Sequence, residues 1–250
     1  MKLTSPGTRV RPSILFWAFS SLPTIINKLV SLAVMRFLRR PLAVLALLIP
    51  VAWSYDFDRL QQQLIARFGN AQVALLGDWQ KLLGSTQSSE QDKLARINSF
   101  INQRIVFGSD DDIWNVSDYW STPLETIGRG QGDCEDFAII KYFSSKEAGI
   151  PLAKLRLVYA KAILNGPNGP YQQAHMVLAY YPTPNAEPLV LDNLINEIKP
   201  ASQRADLFPV FSFNSEGIYN VAAKTSKVGS TTQLSRWQDL LQRARKEGID

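Results

Sequence analysis

One cysteine and one histidine in 250 residues are enough for a thiol nucleophile and its base. Cys134 stands inside Gly128–Ala138, GRGQGDCEDFA, at what reads as the first turn of a helix. His175 lies roughly forty residues on, within QAHMVLAYY (173–181), an apolar run that reads as a strand. A thiol at a helix start feels the positive end of the helix dipole, which favours thiolate, and a backbone N–H there can stabilise an oxyanion. A histidine on a neighbouring strand can take the thiol proton. Asp192, on the strand after that, can set the imidazole tautomer and support its charge. Each residue also has a plainer reading: Cys134 as inert packing, His175 as a satisfied core histidine, Asp192 as a strand-end cap.

The elements that must position these residues follow from periodicity. Phe57, Leu60, Leu64 and Phe68 recur at helical spacing, with Gly69-Asn70 as the stop. Val73 to Leu83 predicts a second helix. Ser89, with Asp92 three residues on, opens a third along Leu94, Ile97, Phe100, Ile101 and Ile105. Asp110 to Trp120, DDDIWNVSDYW, reads as a polar, aromatic loop whose acidic run is a solvated turn before it is a cation site. Its aromatics, Trp114, Tyr119 and Trp120, either cover the core or line a cleft. Thr122-Pro123 is a helix start, and Gly128, Gly130 and Gly132 break the chain as a tight turn would. Asp133 caps the helix that follows, with Asp136 at its third position. Beyond Pro151 the period changes to two. Strands are expected at 155–159, 173–181 and 189–192, with one or two more over 210–221, and a final helix capped by Ser235. Asn165 to Pro170 reads as a turn. Together these predict one α+β domain over 55–250, helices first and then an antiparallel meander.

The net charge of +5 belongs to the N-terminus. Residues 1–54 hold Lys2, Arg9, Arg11, Lys28, Arg36, Arg39, Arg40 and no acidic residue, so the remainder is slightly acidic. That distribution predicts no nucleic-acid partner. Arg36, Arg39 and Arg40 precede the apolar stretch LAVLALLIPVAW (42–53), and Ala52 and Ser54 are small residues suited to cleavage after Ser54. This predicts a secretory signal starting at Met35, with residues 1–34 as an upstream extension or a second membrane-associating stretch, and a periplasmic location. An uncleaved anchor is the alternative. A lone cysteine excludes an internal disulfide and any multi-cysteine metal site.

GDCEDFA, followed by His in an apolar strand and Asp on the next, resembles the transglutaminase-like (papain-like) cysteine protease superfamily. The upstream pattern from Trp114 to Thr126, together with RGQGDCED (129–136), is similar to the bacterial transglutaminase-like cysteine proteinases. The resemblance covers roughly residues 56–225. It implies Cys134 as nucleophile, His175 as base and Asp192 as orienting carboxylate. It implies cleavage of a large repeat adhesin in its N-terminal region at a dialanine bond, with biofilm dispersal as the consequence. It also implies dependence on Ca2+ and sequestration by an inner-membrane cyclic-di-GMP receptor of the LapD type.

Calcium meets a physical need. Asp133, Glu135 and Asp136 crowd Cys134 with negative charge, which raises a thiol pKa and opposes thiolate. A bound divalent cation would resolve the conflict. With no spare His or Cys, oxygen ligands remain, which favour calcium over zinc. Asp118 or carbonyls of the 114–120 loop could complete the shell; Asp136 could instead serve the helix. Two other functions share these residues: an acyl transferase that joins Gln to an amine, and a non-catalytic binding module. The second oxyanion donor is open between Gln131 and Trp120.

Overall fold

The computed structural model describes residues 55–85, 88–220 and 227–249. The signal-peptide reading of residues 1–54 lies outside them. Helix α1 (Phe57–Phe68) buries Phe57, Leu60 and Leu64 and stops at Gly69, whose φ is 77°. Helix α2 (Val73–Leu83) buries Leu75, Leu76, Trp79 and Leu83. Helix α3 (Glu90–Arg104) starts where the Ser89 side chain accepts the Asp92 N–H at 3.1 Å, and it buries Leu94, Ile97 and Ile101. Among the described residues no helix is long and apolar enough to cross a membrane.

The next segment prepares the site. Strand β1 (Val106–Phe107) leads into a short helix, α4 (Asp110–Trp114). This corrects the reading of 110–120 as a loop throughout. Ser109 caps α4 by accepting the Asp112 N–H, so its three aspartates sit in a first turn, where negative charge is favourable. Helix α5 (Pro123–Arg129) has the expected Thr122 cap and Pro123 start, completed by Glu125 as a capping box. Of the three glycines read as breaking the chain, only Gly130 does so, with φ 65° at the end of α5. Gly128 lies inside α5, where the Phe68 ring leaves no room for a Cβ. Gly132 lies in β2 (Gln131–Gly132), where an added Cβ would stand 2.7 Å from the Asp136 Cβ.

Helix α6 (Cys134–Glu147) is the centre of the fold. Its residues Phe137, Ile139, Ile140, Tyr142 and Phe143 are buried against α3, α5 and the sheet. The sheet has the order β6-β5-β4-β3-β7-β8-β9. Its strands are β3 (Leu155–Gly166), β4 (Gly169–Tyr180), β5 (Leu189–Leu191), β6 (Lys199–Pro200), β7 (Leu207–Asn214), β8 (Gly217–Tyr219) and β9 (Lys227–Gly229). All its pairings are antiparallel. It is not a simple meander: β7 returns to the open side of β3, so β3 and β4 are central. Leu155, Leu157, Met176, Leu178 and Tyr180 join the main core, while Val158, Val177, Ala179 and Val190 form a small cluster apart from it. That division is the two-residue period of a strand with both faces covered.

The β3–β4 hairpin is longer than its apolar pattern predicts. Asn165↔Pro170 and Gly166↔Gly169 are still paired, which leaves only Pro167-Asn168 as the turn. The distal half of β4 is exposed and polar, so it carries no hydrophobic alternation to mark it as strand. Helix α7 (Ser235–Glu247) closes the chain with Trp237 and Leu240 buried; its cap position is Leu234, one residue before the expected Ser235.

Candidate active site

The parallel pairing of β1 with β2 assembles the acidic side of the site. Val106 faces Gln131 and Phe107 faces Gly132, so the segments leaving both strands emerge at the same end. One carries Asp110 and the other carries Asp133 and Cys134. Asp133 caps α6: its Oδ1 accepts the N–H of Glu135 at 3.2 Å and of Asp136 at 3.5 Å. Asp136 answers from the third helical position, with Oδ2 3.4 Å from the Asp133 N–H. Its Oδ1 also accepts the Ser121 N–H at 2.7 Å, and its Oδ2 the Ser121 hydroxyl at 3.1 Å. Asp136 therefore does serve the helix, and it ties α6 to the strand-like approach of α5.

Asp110 corrects the sequence reading. It is not solvated but buried, and its Oδ2 accepts the Tyr119 N–H at 2.6 Å. One carboxylate oxygen from each of Asp110, Asp133 and Asp136 lies within 4.8 Å of the others. The Asp110 Oδ1 is buried with no hydrogen-bond partner. Burial, reinforced by the mutual repulsion of these groups and Glu135, raises Asp110 to about 6, Asp136 to about 8 and Asp133 to about 9. Three crowded carboxylates with an unused buried oxygen match the donor set of a hard divalent cation. Glu135 belongs to a second trio, with Asp133 and Cys134. Asp118 pairs with Arg236 at 2.6 Å, and its charge still helps to raise Asp110.

The Cys134 thiol donates to the Glu135 Oε2 at 3.0 Å. Burial, then Glu135 and Asp133, push it far above the ordinary thiol range, against a hydrogen bond from the Met176 backbone. That last contact places the sulfur against the strand residue next to His175. Cys134 and His175 line the same cavity of about 430 Å³. The imidazole Nε2 is 2.8 Å from the Asp192 Oδ1, so Asp192 engages Nε2 and not Nδ1. Asp192 follows β5, whose Leu191 faces Leu178, so it sits beside the strand that carries His175.

Arg204 gave no sequence signal, because it lies in an aperiodic stretch between β6 and β7. Its Nη2 donates to the Asp192 Oδ2 at 2.6 Å and to the Asp206 Oδ2 at 2.7 Å, with the Asp192 and Arg204 side chains both essentially sealed from solvent. Burial alone would raise Asp192; His175 and Arg204 pull it down to about 2. Lys141 adds positive charge nearby, though burial lowers it to about 7. Arg204→Met strands a buried carboxylate and should cost about 3 kcal/mol in urea denaturation at neutral pH. Because Asp192 is depressed when folded, its contribution is present above its unfolded value of about 4 and lost as pH falls toward 2. The gap between wild type and variant should narrow over that window.

The aromatics divide. Trp120 stacks on Phe213 with ring centroids 5.9 Å apart, and with Tyr159, Phe211, Glu135 and His175 it lines a second cavity of about 430 Å³. Arg243 of α7 donates to the Trp120 carbonyl at 2.6 Å and steadies this wall. Trp114 and Tyr119 pack on each other at 4.8 Å, beneath Arg129 and Arg243 respectively.

Residues 78–208 match the family model described as bacterial transglutaminase-like cysteine proteinase, BTLCP. Among solved structures, Legionella pneumophila LapG is similar at 37% identity and a TM-score of 0.62, over 75% of this chain and 96% of its own. Its EGTA-treated form gives 0.63 over the same shares, and its calcium-bound form 0.62 over 98% of its own chain. No curated protein matches. The match across more than half of the sequence, on a fold of helices against an antiparallel sheet, means that this chain belongs to the bacterial transglutaminase-like cysteine proteinase family.

Proposed function

We propose that the chain is a calcium-dependent cysteine endopeptidase in which Cys134 is the nucleophile, His175 the general base and Asp192 the carboxylate that orients it. The observation that carries this reading is that His175, whose Nε2 lies 2.8 Å from the buried Asp192 Oδ1, lines one cavity with a thiol at the start of a helix. His175 Nδ1 takes the Sγ proton, and the thiolate attacks the scissile carbonyl carbon. The oxyanion forms at the Cys134 N–H, the one amide of the first turn of α6 that the Asp133 cap does not engage. The imidazolium gives its proton to the departing amine as the C–N bond breaks. Water, activated by the same imidazole, then hydrolyses the thioester and restores the thiol. Asp192, held by Arg204, keeps the ring turned and balances its charge.

Asp110, Asp133 and Asp136 would hold the cation. A bound Ca2+ supplies positive charge that offsets the carboxylates around the thiol. The calcium-bound form of Legionella pneumophila LapG supports calcium as the ion; the ligand set rests on the carboxylates of this chain alone.

The substrate we propose is the N-terminal region of a large repeat adhesin, cut at a dialanine bond outside the cytoplasm, which releases the adhesin and disperses biofilm. An inner-membrane cyclic-di-GMP receptor of the LapD type would control access to the enzyme. The test incubates residues 55–250 with the N-terminal part of a co-encoded adhesin, with calcium or with EGTA. Two shorter fragments, formed only with calcium, are expected. A larger crosslinked species would show acyl transfer instead, and an intact adhesin in calcium would refute the protease reading.

A further inference from the structure

Strand β4 is paired along its whole length on one side and hardly at all on the other. β3 covers it from Gly169 to Tyr180, whereas β5 reaches only Leu178, Ala179 and Tyr180. Among the described residues no strand pairs the outer edge from Gly169 to Val177.

Two contacts settle which backbone groups face outward. The Tyr181 N–H donates to the Lys154 carbonyl at 2.8 Å, which makes Leu155↔Tyr180 a non-hydrogen-bonded pair. The odd-numbered residues of β4 therefore bond to β3, and the even-numbered ones turn N–H and C=O outward. Met176 agrees, since its backbone hydrogen-bonds the Cys134 thiol. Ala174 and Gln172 are the next two outward positions, in line with the nucleophile.

Exposed edges are normally guarded by lysines, prolines or bulges. Pro170, an outward position, guards the edge at its turn end; beyond it the stretch YQQAHMV (171–177) has no Lys, Pro or acidic residue, and its register with β3 is unbroken. Beside it, Tyr171 is 49% exposed, Phe107 59% and Leu194 42%, and all three line the cavity that holds Cys134 and His175. An unguarded edge leading to a nucleophile, flanked by exposed apolar side chains, is arranged to receive a chain.

We propose that the substrate polypeptide binds as an added strand on the outer edge of β4. Its main chain hydrogen-bonds Gln172 and Ala174, and its scissile carbonyl is carried in register to Cys134. The inference rests on the protease reading, because the cavity continuous with this edge contains the reacting thiol. The occupant is an extended, uncharged segment with small residues at the bond that is cut. Affinity comes from the main chain, and selectivity from the alternate side chains that meet Phe107, Tyr171 and Leu194.

The test measures binding of a labelled peptide spanning the dialanine region of the adhesin to the Cys134→Ala protein, so that turnover plays no part. The peptide is N-methylated one residue at a time. Methylation should weaken binding by about tenfold at alternate positions and little between them. Gln172→Pro, which removes an outward N–H without touching the β3 ladder, should weaken the parent peptide similarly while the melting temperature holds. Failure to bind, sensitivity without the two-residue alternation, or undiminished binding to Gln172→Pro would overturn the proposal. So would a dimer of this chain that Gln172→Pro disrupts while peptide binding is unaffected. Alternation in binding by a protein whose wild type never cuts the peptide would sustain the strand site and sink the protease reading. Cleavage without alternation would do the reverse.

Discussion

Cys134→Ala is expected to lower kcat/KM for adhesin cleavage by at least about 10⁴-fold. The substitution removes the only thiol in the chain, so no neighbouring cysteine can substitute for it. It leaves the scaffold alone: the side chain is only partly buried, and the α6 start is held by Asp133, Asp136 and Ser121. Circular dichroism and melting should therefore match wild type while fragment formation, followed by mass spectrometry, disappears. His175→Ala should show a loss of similar size, because the proposed mechanism uses the same imidazole for both proton transfers. A Cys134→Ala protein that retained a tenth of wild-type turnover would remove the thiol from the mechanism.

The second large effect is calcium removal, and its pH dependence follows from the carboxylate cluster. In the metal-free protein Asp110, Asp136 and Asp133 are raised to about 6, 8 and 9, well above the ordinary aspartate value. Groups raised on folding contribute stability that is fully present below their unfolded pKa of about 4 and lost as pH climbs through the folded values. The chelated protein should therefore become less stable from pH 5 to pH 9. At the proposed site calcium would bind the ionised carboxylates, so its stabilisation should grow over the same range. At about a thousandfold excess over its dissociation constant it contributes about 4 kcal/mol. Scanning calorimetry in calcium and in EGTA should show a melting-temperature gap of at least about 5 °C at pH 8 that shrinks toward pH 5. EGTA should also abolish cleavage at pH 7.5. Asp110→Asn isolates the residue that the sequence did not recommend: it should lose most of the calcium-dependent gap. An equal gap in that variant would move the cation away from Asp110.

Helix positions were legible wherever one apolar stripe faced one core. Phe57–Phe68, Val73–Leu83 and Glu90–Arg104 all follow their periodicity, and Ser89, Thr122 and Asp133 cap where their side chains can reach the third amide. Legibility failed where burial did not follow the local pattern. The outer half of the β3–β4 hairpin is strand without a hydrophobic face, and Asp110–Trp114 is helix with three acids at its start.

The same contrast runs through the site. The sequence by itself determined the chemistry available: one thiol, one imidazole, a nearby carboxylate on a following strand, and acids around a helix start. Those are local properties of residue type and period. Only the tertiary structure decided the partners. Parallel pairing of Val106-Phe107 with Gln131-Gly132 brings Asp110 to Asp133 across an intervening helix. The short β5 sets Asp192 against His175 and leaves the outer edge of β4 bare beside Cys134. Arg204 reaches Asp192 from an aperiodic segment. Each is a contact between residues far apart in the chain, fixed by strand register and the packing of α6, and no local spacing records it.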